Sequence, residues 1–144
     1  MGVRKFALIG GAVMLAMGVL ALIPGLSSIR TSLPALNIET SYGLFLGFFP
    51  MNILNKLALI LFGVTGVAAS RMDSVEPSVQ FSRTVCVVMG VLAVLGVFPA
   101  TDTLGGYWPL FGGEVTAHGV FAILGGYFGY GVPARARRDV EARA

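Results

Sequence analysis

Apolar residues gather along the chain into four runs nearly free of charge, separated by clusters of charge, Pro or Gly. The runs cover 6–23, 53–69, 81–99 and 115–132. The first carries no charged residue over 18 positions, enough for roughly 27 Å of helix against a hydrocarbon core of about 30 Å. Pro24-Gly25 stops it, and the other runs are bounded in the way spanning helices are. The pattern predicts an all-α fold, a four-helix transmembrane bundle within 1–134, followed by a basic tail over 135–144. The loop over 25–52 contains Tyr42-Gly43-Leu44-Phe45-Leu46-Gly47-Phe48-Phe49-Pro50, too apolar for open water and too short to span as a helix. It reads as a short interfacial or half-inserted segment in the first outer loop, with Asn52 capping the second helix by accepting from a first-turn amide.

Composition narrows the class. Hydrophobic residues make up 56% and charged residues 12%, with a mean hydropathy of +0.83, whereas an ordinary soluble domain carries about 25% charge. The net charge of +3 does not point to nucleic acid, because the ten Lys and Arg sit at the ends of the apolar runs, where anionic lipid meets them. The N-terminus, the loop between the second and third runs, and the tail hold Arg4, Lys5, Arg71, Arg83, Arg135, Arg137, Arg138 and Arg143. The opposite side holds Arg30 and Lys56. Eight against two predicts both termini in the cytoplasm, in an inner or thylakoid-type membrane. Lys56, at the outer start of the second helix, is expected to snorkel to the headgroups as an anchor. The first run exceeds the usual h-region of a signal peptide and lacks an Ala-x-Ala site after it, so a retained helix is expected.

Two features point to an internal two-plus-two duplication. Met17-Gly18-Val19-Leu20-Ala21 recurs as Met89-Gly90-Val91-Leu92-Ala93, each copy running on to a Pro, Pro24 or Pro99. Asn55 precedes Gly63 by eight residues, as His118 precedes Gly126, and Gly66 and Gly129 each follow three later. Two helices per copy would relate the halves by a pseudo-two-fold along the membrane normal. Small-x-x-x-small pairs such as Ala12 with Ala16 and Ala122 with Gly126 mark close-packing faces.

Candidate chemistry is sparse. The chain contains no Gly-Lys-Ser/Thr phosphate loop, no Gly-x-Ser-x-Gly elbow and no Cys-x-x-Cys, and an enzyme is not expected. Glu39, Asp73, Glu76, Asp102, Glu114, Asp139 and Glu141 all fall outside the predicted spans, which argues against an intramembrane proton relay. Cys86, the only cysteine, reads as a packing residue. Tyr107, Trp108 and Phe111 read as an aromatic belt.

His118 is the only histidine and the one residue whose position needs a reason. At the helical period it shares a face with Ala122, Gly125 and Gly129, which should meet another helix or the flat face of a planar ligand. Two readings stand: a neutral imidazole donating to a carbonyl or to Asn55, or a ring nitrogen ligating haem iron or chlorophyll magnesium.

The chain also resembles a family of small bacterial four-helix integral membrane proteins known as domain of unknown function 4383. The resemblance rests on Gly47-Phe48-Phe49-Pro50-Met51-Asn52, on the segment from Leu61 to Ser70, on Gly96-Val97-Phe98-Pro99, and on Pro109-Leu110 with Glu114 and His118 following. It implies the four-helix topology and no activity. Members typically carry histidines early in the second helix; here that stretch reads Asn52-Ile53-Leu54-Asn55-Lys56, so a metal or haem site built from those histidines would be lost. The leading expectation is an accessory or assembly subunit packed on other membrane subunits in the lipid bilayer. The alternatives are a pigment- or haem-binding subunit of a photosynthetic or electron-transfer complex with His118 as axial ligand, and a small transporter or channel.

Overall fold

The structure is a computed structural model and describes residues 2–28 and 32–135. Arg30 and most of the basic tail lie outside the described residues. Four helices are long and apolar enough to cross a membrane, the architecture of a multi-pass integral membrane protein. They are α1 (Val3–Leu20), α2 (Ile53–Arg71), α3 (Glu76–Val97) and α4 (Gly113–Gly126), the last continuing through a π-helical turn, Tyr127–Gly131, to Arg135.

The observed ends shift from the predicted ones for local reasons. α1 begins at Val3 and takes Arg4 and Lys5 into its first turn, since long basic side chains reach water from a helix end. α3 begins at Glu76-Pro77, where the missing proline N–H costs nothing, and stops two residues before Pro99.

The helices pack pairwise, α1 antiparallel on α2 and α3 antiparallel on α4. Glycine permits the first contact. A Cβ on Gly11 would stand 2.7 Å from the Val67 amide nitrogen, and one on Gly18 2.8 Å from the Lys56 carbonyl oxygen. The backbones touch because neither position has a side chain. In the second pair, Gly125 faces Ser82 and Cys86, and Gly129 faces Arg83. The pairs join through a core of Phe6, Ala7, Met14, Phe81, Val85, Met89 and Phe128, in which the Phe6 and Phe128 rings stack at 4.9 Å. At one end of the bundle Arg4 donates to the Asp73 carbonyl, and Ser78 Oγ donates to the Ala69 carbonyl at 3.1 Å, closing the α2–α3 turn.

The opposite end carries a cap that corrects the all-α expectation. The apolar loop segment is a three-stranded antiparallel sheet: β1 (Ser27–Ser28), β2 (Gly43–Phe45) and β3 (Phe49–Met51), with Phe45 opposite Phe49. Leu46 and Gly47 turn the β2–β3 hairpin at positive φ, 52° and 77°. Pairing the strands satisfies backbone groups that a lone apolar segment near lipid would leave bare. Phe45 and Met51 pack against Ala21 at the end of α1, so the sheet lies over the bundle as a lid.

Candidate functional site

Polar side chains converge beneath this cap, and the first turn of α2 organises them. Asn52 caps the helix as expected: its Oδ1 accepts from the amides of Leu54 and Asn55, and Asn55 Oδ1 accepts from the Asn52 amide at 3.2 Å. Its Nδ2 donates to the carbonyls of Ile38, at 3.1 Å, and Tyr107, at 2.8 Å, tying together the two loops at this end. Asn55 Nδ2 donates to Pro109, and the Asn37 amide and side chain donate to Gly106 and Gly105, so the loops are stitched twice more.

Lys56 departs from the snorkelling expectation. It is 1% exposed, and its Nζ donates to the Ser41 carbonyl at 2.7 Å and the Ser41 hydroxyl at 2.8 Å. The loop folds down over the helix end and supplies the oxygens that headgroups would otherwise provide. Next to Ser41, Tyr42 donates to the Pro34 carbonyl at 3.1 Å; burial pushes its phenol pKa up, and the charge on Glu39 adds to that.

Glu114 corrects a second expectation. It lies inside α4, in the first turn, and is 4% exposed. The premise that acidic groups stay outside the spans fails because Gly112, at φ 62°, starts the helix early enough to bring Glu114 under the cap. One turn on, His118 is 8% exposed, with Nε2 3.4 Å from Glu114 Oε2. The sequence places these residues four apart, so their shared face was legible; their burial was not. Asn55, one of the two partners expected for the imidazole, is instead engaged by Asn52 and Pro109.

Three buried polar atoms here have no hydrogen-bond partner among the described residues: Trp108 Nε1, Glu114 Oε1 and His118 Nδ1. Trp108 thus turns inward from the aromatic belt expected of it, while Tyr107 stays exposed. All three residues line a cavity of about 60 Å³ with Asn55, Phe62 and Met89. A second cavity of about 20 Å³ lies beside Glu114 and His118, walled by Met14, Met17, Met51 and Met89. The small-residue face of α4 beyond His118 meets a helix, α3: Gly90 approaches Ala122, and a Cβ on Gly125 would stand 2.7 Å from the Cys86 amide nitrogen. Cys86 is free and packs in this contact.

Among the described residues no three His, Cys, Asp or Glu side chains group as metal ligands. The arrangement can hold hydrogen-bonding groups, or an ion that accepts thioether and imidazole donors, in the small cavities beneath the cap. No curated protein and no solved structure matches the chain. The family model for a domain of unknown function, DUF4383, matches residues 4–131, covering all four helices and the cap between them, and the chain belongs to that family.

Proposed function

We propose that the chain is a non-enzymatic accessory subunit that packs beside a larger membrane complex and supports its assembly or stability. The observation carrying this reading is the division of labour between inside and outside. Asn52, Asn55 and Lys56 hold the cap, while outward positions such as Leu61, Val64, Val87, Val91, Val94 and Ile123 form apolar helix faces suited to lipid or to another subunit's helices. In mild detergent the native membrane protein should co-migrate with a larger complex, followed by mass spectrometry. Migration at its own size, with no partner after gentle crosslinking, rejects the reading.

Absorbance across the same fractions tests the pigment or haem alternative, which the unpartnered His118 Nδ1 favours. A macrocycle on that nitrogen would need α4 to part from its neighbours, because the voids beside the ring measure about 60 and 20 Å³ and Gly125 and Gly129 already meet α3. A Soret or red band that disappears in His118→Leu would place this alternative first.

We also propose that the capped end faces away from the cytoplasm, supported by Arg4, Lys5, Arg71 and Arg83 lying toward the other end. In a Cys86→Ala background, a cysteine replacing exposed Ser74 should react with an impermeant maleimide in inverted vesicles and not in intact cells. The duplication has support in the packing. Gly11 and Arg83 each stand six residues before a copy of the repeated pentapeptide, and Gly66 and Gly129 each stand eleven after Asn55 or His118. Gly11 meets Gly66 in the first pair, and Arg83 meets Gly129 in the second.

A further inference from the structure

We propose that the chamber beneath the cap is a binding site for one soft monovalent metal ion, Cu(I) or its redox-inert counterpart Ag(I), held by His118 Nδ1 and the thioethers of Met14, Met17, Met51 and Met89. The chain has six methionines, and four of them, from α1, β3 and α3, wall a single small void together with His118 and Glu114. Met14 is fully buried, and Met51 and Met89 are nearly so. Methionine is a common gap filler, but gap filling explains neither the void that remains at the meeting point nor the unpartnered nitrogen of the imidazole that lines it. A buried acceptor without a partner is costly, and ligation removes that cost.

The surroundings of the imidazole fit a ligand. Metal-bound histidines generally offer their other ring nitrogen to a carboxylate, which sets the tautomer; Nε2 here faces Glu114 Oε2, leaving Nδ1 for the metal. Thioether and imidazole donors select Cu(I) among biological ions, whereas Zn(II), Mg(II) and Ca(II) need thiolate, carboxylate or several imidazole donors, and no such trio occurs among the described residues. Glu114 is the one acidic residue lining the void; ionised beside a bound cation it would balance a single positive charge and only half of a divalent one, and unbalanced charge is expensive away from water. Methionine side chains are flexible enough to close on an ion without moving the helices.

The test is titration of the tag-free, detergent-solubilised Cys86→Ala protein with Ag(I), and anaerobically with Cu(I) against a chromogenic competitor. Removing the thiol ensures that a soft ion is not captured by it. Saturable binding of one ion per chain is expected, weakened by at least about tenfold in His118→Leu and in Met17→Leu/Met89→Leu. Met72→Leu, at the other end of the bundle, should bind as its parent does. X-ray absorption at the copper edge should report sulfur and nitrogen neighbours. Absence of saturable binding overturns the proposal, as does undiminished binding by a folded His118→Leu. Should that variant not fold, the methionine pair decides, since Leu replaces Met with little change in volume: undiminished binding there overturns the proposal equally.

Discussion

Leucine in place of Gly63 should force α1 and α2 apart and destabilise the protein by about 3 kcal/mol or more, read as a fall in the thermal midpoint in detergent. A Cβ at this position would stand 2.5 Å from Leu15 Cβ and 2.6 Å from Leu15 Cα, against the backbone of a packed helix rather than a movable side-chain tip. Neither helix can yield locally: Gly66, one turn on, already meets Gly11, and Gly18 already meets Lys56 and Ile60. The matching control is Gly119→Ala. A Cβ there meets nothing within 4 Å, so the change should be neutral, or stabilising by up to about 1 kcal/mol through better helix propensity. Equal losses in both variants would show that glycine at α1–α2 is incidental.

Asn52→Leu should be as damaging, for a different reason. Asn52 is 0% exposed, and its side chain serves Leu54, Asn55, Ile38 and Tyr107 at once. Its removal deletes the α2 cap, worth about 1 kcal/mol, and strips a donor from two part-buried carbonyls at about 1 kcal/mol each. The expected loss is about 3 kcal/mol. The location of the damage also separates the variants: amide exchange should rise first in the cap over 32–51 for Asn52→Leu, and along the α1–α2 contact for Gly63→Leu. Asn52→Asp keeps the oxygen that caps α2 and loses the Nδ2 donor, so it should restore the helix start and leave the loops loosened.

The spans, the Asn52 cap and the meeting of α4's small face with another helix were all legible in the sequence. These are local properties: run length against bilayer thickness, one side chain reaching its own first turn, and the helical period of Ala122, Gly125 and Gly129. Family membership was legible too, from motifs spread over most of the chain. The errors fell where a residue's partner lies far along the chain. Lys56 resembled a headgroup anchor because Ser41, fifteen residues earlier, becomes its acceptor only once the loop folds over α2. Glu114 resembled a boundary residue because a charge at the edge of an apolar run gives no sign of which way it will turn. The sheet was hidden because its strands are two or three residues long and paired across loops, too short for any periodicity to register.

The sequence by itself therefore determined that the chain forms four helices long and apolar enough to cross a membrane, and where each begins to within five residues, since hydrocarbon thickness and backbone hydrogen bonding leave few alternatives. Only the tertiary structure decided that Glu114 and His118 line two small adjoining cavities under a lid, one of them shared with Trp108 and the other walled by four methionines. These residues come from five segments of the chain, and their meeting depends on how the two helix pairs rotate about their glycine contacts and how the cap closes over them, which no local pattern encodes.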